Sequence, residues 1–311
     1  MPASLTTMYP SSVQPHPPPP LPLPYFSNIA HLPPHILSHL SPLPHTTHPH
    51  THTQQQPLPL SPFSPQVIAY LFSQKIACPK KLYMLRGNHE LRAVNGWVEH
   101  YQKGSFLWQC QARFGEDVGH QVWEIVNQAF DRMPLAATID ESVFCVHGGI
   151  PRLLPGEGGN GTPQQDGRIR SIMEYPCPAT LNPPQANEEG VLHIALDLLW
   201  ADPADHNQER NGLDAQGFGA SSRGDHLSCF GTEAVKSFCD RYGFSFVIRA
   251  HQAVASGIQL SKGAKVFTVF STSKDHGCGD QATCGCILIE NGVLMPITRA
   301  NRARSSGGLR R

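Results

Sequence analysis

The six residues Leu85–Glu90, LRGNHE, set Asn88 and His89 side by side behind a short apolar run, Leu82, Tyr83 and Met84. In the same way Val143–Val146 runs into His147, and Phe246–Ile248 runs through Arg249 and Ala250 into His251. In layered folds ligands bind beyond the carboxyl ends of strands, so three such ends predict imidazoles delivered to one point. One histidine at a strand end is ordinarily a core or surface residue. Three, with a neighbouring Asn and repeated Gly, predict a site. An Asn oxygen and neutral imidazoles are good donors to manganese, iron or zinc, and glycines let the backbone approach an ion or a phosphate. A histidine that does not ligate can protonate a leaving oxygen, and two ions about 3.5 to 4 Å apart clamp a phosphoryl group and turn water into hydroxide. A guanidinium completes such a site by holding phosphate oxygens in a fork. Arg223, within SSRGDHLSCFG, is the candidate for that role.

The elements that must position these residues read as an alternation of strands and helices, hence an α/β layered domain. QVIAYLFSQK, residues 66–75, predicts a short amphipathic helix, and KLYML a strand after Pro79. From Gly96 to Phe130 the pattern is helical, with Phe106, Cys110, Phe114, Val118, Val122, Ile125 and Phe130 at three-to-four spacing as core. Leu135–Val146 reads as two strands joined at Asp140 and Glu141. Residues 153–190 read as a long loop with one helical turn at Arg168–Met173, and HIALDLLW as a strand or a helix opening onto Ala201, Asp202 and Pro203. Thr232–Tyr242 reads as a helix leading into the strand FSFVI, and VFTVFS and CGCILIENGVLMPI as strands around turns.

Charge is distributed unevenly. No Lys, Arg, Asp or Glu precedes Lys75, while residues 1–64 hold more than half of the 29 prolines and nearly half of the 17 histidines. Proline removes amide donors and fixes the backbone, so residues 1–64 read as a disordered segment of polyproline II character, a form that SH3- or WW-type domains bind. Its polyhistidine tracts have no fold to arrange them around a metal. Residues 65–298 form one domain, and 299–311, RANRARSSGGLRR, a basic flexible tail. The formal charges balance at 24 each, which argues against an electrostatically driven nucleic-acid or membrane partner. Nine cysteines without a CxxC pair read as reduced thiols of an intracellular protein, cytoplasmic or nuclear. Cys278, Cys284 and Cys286 match no standard zinc spacing. No apolar run approaches the roughly 18 to 20 residues of a membrane helix.

In order, LRGNHE, FCVHGGI, LLWADP, SRG followed by CFG, VIRAHQ and TVFS resemble the successive motifs of the phosphoprotein phosphatase family of protein serine/threonine phosphatases. FGEDVGHQVWEIVNQAFDRMPLAATIDESVFCVHGGI is similar to the family throughout, and the resemblance covers about Ser64 to Glu290. It implies a metallophosphoesterase fold, a central β-sandwich flanked by helices, carrying two metal ions (manganese, iron or zinc) and hydrolysing phosphoserine and phosphothreonine in proteins, with regulatory subunits as possible partners. By resemblance Asn88, His147 and His251 are ligands of the second metal, His89 is the general acid and Arg223 holds phosphate. A metallophosphoesterase acting on small molecules such as dinucleoside polyphosphates shares GNHE and HGG, though LLWADP and RAHQ favour the protein phosphatases.

The family pattern also contains GDxHG and GDxxDRG, which this sequence lacks. They supply the first metal's Asp and His, the bridging Asp, a second arginine and the Asp that orients the general acid. The second motif should fall near Gln55–Ser61, where the residues are QQPLPLS. The expectation is an N-terminally incomplete site: one Asn and two neutral histidines with no carboxylate to offset a dication, hence weakened affinity. One flank of the sheet should then be bare, with unpaired edges that the proline-rich leader cannot cover. Two readings follow. Either coding sequence upstream of Gln66 encodes both motifs and the protein is a phosphatase, or the chain is a catalytically inactive, phosphatase-like binding protein. TVFSTSKDHG, with Asp275 and His276, departs from the usual TVFSAPNYCG and reads as a surface turn, and the Arg223 segment is one residue longer than usual.

Overall fold

The computed structural model describes residues 5–8, 64–152, 191–272 and 282–300. In chain order Leu5–Met8 forms β1 and Ser64–Ala77 forms α1. Ile68 and Phe72 of α1 pack against Phe106, Cys110 and Phe130, while Val67, Tyr70 and Ile76 face outward. The strand expected at KLYML does not form. Residues 82–87 have no ladder, and one backbone bond, Arg86 N to Pro134 O at 2.9 Å, ties the segment's end to the body. A strand requires a neighbour, and no described strand lies beside this one. Only two of the three histidine-bearing segments are therefore strand ends.

A 3-10 turn at Asn88–Glu90 leads into α2 (Arg92–Asn95), α3 (Val98–Tyr101), α4 (Phe106–Phe114) and α5 (Glu116–Phe130). The helical stretch breaks where its caps lie. Ser105 Oγ accepts from Trp108 N at the start of α4, and Gly115, at φ 84°, separates α4 from α5. Phe106, Cys110 and Phe130 are buried as expected, but Val118 and Ile125 are 44 % and 45 % exposed. The face of α5 that packs inward runs through Val122, as expected, and through Trp123 and Val126.

β2 (Ala136–Ile139) and β3 (Val143–Val146) form a hairpin, turned by Asp140 and Glu141 at φ 49° and 53°. HIALDLLW lies in a helix, α6 (Val191–Trp200). Its Ile194, Ala195, Leu198 and Leu199 are fully enclosed in the main core. Its buried Asp197 accepts from Arg152 N and Nε and from Ser228 Oγ, so its carboxylate anchors the helix. β4 (Asp202–Pro203), α7 (His206–Asn211), β5 (Phe218–Ser221) and β6 (Gly224–Phe230) follow, with β4, β6 and β5 forming a small sheet. Then come α8 (Thr232–Tyr242), β7 (Phe246–Arg249), β8 (Ile258–Ser261), β9 (Val266–Val269) and the hairpin β10 (Thr283–Glu290) and β11 (Val293–Ala300). Arg299 and Ala300, read as tail, end this hairpin.

The main sheet has six strands in the order β1, β2, β3, β7, β9, β8, with β3, β7 and β9 parallel. Phe238 of α8 and Phe244 close over Phe144 of β3 at ring distances of 5.1 and 5.3 Å. This buried aromatic group fixes the sheet on which the site is built. β1 corrects the expectation that the leader covers nothing: Leu5–Met8 pairs antiparallel with Ile139–Ala136. The expected turn at Arg168–Met173, QQPLPLS, Asp275, His276 and Cys278 lie outside the described residues. Among those residues no helix is long and apolar enough to cross a membrane.

Candidate metal and phosphate site

β3 and β7 run parallel with Cys145 opposite Ile248, and Ala250 N donates to His147 O at 3.0 Å. His147 and His251 thus leave the same end of the sheet side by side. His251 turns back through φ 61°, a left-handed conformation that costs a branched or bulky L-residue about 1–2 kcal/mol. Strain of this kind concentrates where surrounding structure fixes a side chain for function.

The LRGNHE segment is held from beneath. Buried Arg86 donates to Glu90 O and to Asp131 Oδ1, and Asp131 also accepts from Arg92. Asn95 Nδ2 donates to His89 O at 3.1 Å, while Trp123 Nε1 donates to Asn95 Oδ1 at 2.6 Å. Gly87 is required by crowding: an added Cβ would lie 2.6 Å from Glu90 Oε2 and 2.9 Å from His147 Nδ1. Burial raises the Glu90 carboxyl above its ordinary range, opposed by the Gly87 amide and by Arg86. These contacts bring Asn88 to the histidines without a strand behind it.

Asn88 Oδ1 lies 2.8 Å from His147 Nε2, which is 3.2 Å from His251 Nδ1. Donors at about 2.0–2.2 Å from one ion and at right angles to each other stand about 3 Å apart, and both separations from His147 Nε2 match that spacing. Burial, with Arg249, His89 and Arg223 nearby, lowers the His147 pKa to about 3, and burial lowers that of His251 further. Both imidazoles are neutral near pH 7, the form that donates to a metal. His251 Nε2 is buried with no partner among the described residues. Among the described residues no three His, Cys, Asp or Glu side chains are grouped to hold a metal.

Beside this point stand two arginines and one carboxylate. Buried Arg249 donates from Nε to Gly148 O, from Nη1 to Gln252 Oε1, and from Nη2 to Ala201 O and Asp202 Oδ1. The other oxygen of Asp202 accepts from Arg223 Nε at 2.5 Å. Arg223, in the turn between β5 and β6, is one-third exposed and acts electrostatically on His147, His251 and Tyr101. His89 is half-buried, with its ring edge-on to Tyr101 at 5.7 Å, and also lies within electrostatic reach of His147 and His251. Gly148 is forced by its neighbours: an added Cβ would meet the backbone of Leu199 and Trp200 at 2.6 Å. Two guanidiniums against one carboxylate leave net positive charge beside the histidines, which suits an anion.

A family model described as calcineurin-like phosphoesterase matches residues 50–255. The chain belongs to that family. Within it, the protein is similar to serine/threonine-protein phosphatase BSL2 of Arabidopsis thaliana, with 28 % identity over 224 residues, 72 % of this chain and 19 % of the relative. It therefore spans about a fifth of that relative's length. A solved protein serine/threonine phosphatase from Saccharomyces cerevisiae, described as similar to human phosphatase PP5, shares the fold at a TM-score of 0.53 and 20 % identity, covering 80 % of this chain and 69 % of the other. The metallophosphoesterase family and fold read from the motifs thus hold.

Asn88, His147 and His251 come together as the motif order implied, with His89 and Arg223 around them. Sequence reasoning missed Arg249 and Asp202. Their signal was a charge within each of two apolar stretches, FVIR and LLWAD, since buried charges occur paired.

Proposed function

We propose that this chain is a metal-dependent phosphoric monoester hydrolase of the protein serine/threonine phosphatase type, acting through a site that holds one ion. The observation that carries this is the convergence of Asn88 Oδ1, His147 Nε2 and His251 Nδ1 within 2.8 and 3.2 Å beside Arg223. Asn88, His147 and His251 would hold the ion. When bound, such an ion polarises a phosphoryl oxygen and lowers the pKa of water. Arg223, steadied through Nε by Asp202, presents its remaining nitrogens to phosphate oxygens, and His89 protonates the leaving serine or threonine oxygen. Arg249 takes no substrate; it locks Gly148, Ala201 and Gln252 around the donors.

Phosphoserine and phosphothreonine in proteins are the proposed substrates, with manganese, iron or zinc as the ion and regulatory subunits as partners. The body spans residues 64–300, with the proline-rich leader available to SH3- or WW-type domains. A second reading, a phosphate-binding protein without turnover, is favoured by one observation: both oxygens of the neighbouring carboxylate, Asp202, are engaged by arginines. Hydrolysis of a phosphoserine peptide and of p-nitrophenyl phosphate with added Mn2+ separates the two. The expected result is slow, chelator-sensitive release of phosphate that His89→Ala and His251→Ala abolish. Peptide binding with no phosphate released would establish the second reading.

A further inference from the structure

The edge of the main sheet carries a feature independent of the phosphatase reading. β2 consists of Ala136, Ala137, Thr138 and Ile139, with the first three 0 %, 2 % and 6 % exposed. Sheet edges are normally protected by charge, proline or a bulge. β2 has no charge and no proline, and its pairing with β1 is unbroken over four residues. What covers it comes from far along the chain: Leu5–Met8, followed by residues 9–63 before α1 begins. That strand sits inside a proline-free window, Ala3–Tyr9, bracketed by Pro2 and Pro10, and the window is uncharged. Proline cannot donate to a ladder, so the bracket limits the paired segment to this window. Short antiparallel pairing through main-chain bonds is the general means by which an extended peptide adds to a sheet edge.

We propose that the β2 edge is a strand-acceptor site for uncharged, proline-free extended peptides. Its resident ligand is the chain's own Leu5–Met8 strand, which a strand of the same chemistry from a partner protein can replace. Tethering makes the resident segment a competitor at an effective concentration on the order of millimolar or below, so a partner strand must bind more tightly than the isolated window does.

The test uses the full chain, its Thr6→Pro/Thr7→Pro variant, and a fluorescent peptide ASLTTMY with ASLPPMY as control. Peptide binding followed by anisotropy is expected to be about 10-fold or more tighter for the variant than for the wild type, with none of the control bound. Equal binding to both proteins, or to neither, overturns the proposal. Hydrogen exchange on the wild-type chain gives an answer even if the variant fails to fold. Amides of β2 are expected to exchange faster than those of β3 and to slow when ASLTTMY is added; β2 protection equal to that of β3 and unmoved by peptide also overturns it. A concentration-dependent dimer abolished by the double substitution would identify a second copy as the partner supplying the strand.

Discussion

At the scale of single residues, two neutral imidazoles and one amide oxygen meet with donor spacings of 2.8 and 3.2 Å. Their neutrality has a consequence for the metal-free chain. His147 ionises in the fold only at about pH 3, and His251 also lies below its ordinary value of 6.5. The unfolded chain therefore binds more protons below pH 6.5, and stability falls as pH drops from about 6.5 toward 3. The slope approaches about 1.4 kcal/mol per pH unit for each histidine. Thermal denaturation of chelator-treated protein between pH 7 and 5 should show a falling Tm, and a flat profile would contradict the burial of these rings. In the proposed reaction His89 stands apart, because it would donate a proton rather than hold the ion. His89→Asn should reduce phosphate release about 100-fold or more while leaving Mn2+ binding unchanged, which calorimetry and a phosphate assay together would resolve. Asn88, His147, His251, His89 and Arg223 were legible in the sequence because each sits in a short motif whose neighbours repeat. Asp202 and Arg249 were not, because a buried ion pair is recognised by its partner, and these two are 47 residues apart.

At the scale of elements, the parallel ends of β3 and β7 deliver two donors, while the third comes from a 3-10 turn held by the side chains of α2 and α5. Arg249, Asp202 and Arg223 join the loops between them. Asp202→Ala leaves a buried guanidinium without its carboxylate and should destabilise the chain by about 3–5 kcal/mol, measured by urea denaturation; a loss under about 1 kcal/mol would mean water reaches Arg249. Gly148→Ala drives a methyl into the end of α6 and should cost about 1–3 kcal/mol. Helices were readable where periodicity and caps agreed, as in Thr232–Tyr242, which ends at Gly243 with φ 76°. Val118 and Ile125 misled because an apolar stripe on α5 is wider than the surface of α4 that can cover it. KLYML misled for a different reason: β propensity is real there, but its expression as a strand needs a neighbour that no described residue provides.

At the scale of the whole molecule, a six-stranded sheet closed at one edge by the Leu5–Met8 strand carries His147 and His251 at the end where Asn88 meets them. Composition argued for an unpaired leader, and it could not show β1, since four residues of LTTM carry no periodic signal until the β2 edge they complete is known. The absence of GDxHG and GDxxDRG was legible, and its chemical meaning is a site whose donors carry no negative charge. The stoichiometry of Mn2+ binding by calorimetry on the full chain tests this most directly. One ion per chain is expected, with affinity lost about 100-fold or more in His251→Ala and no change in circular dichroism. Two ions per chain, or undiminished binding in His251→Ala, would contradict it.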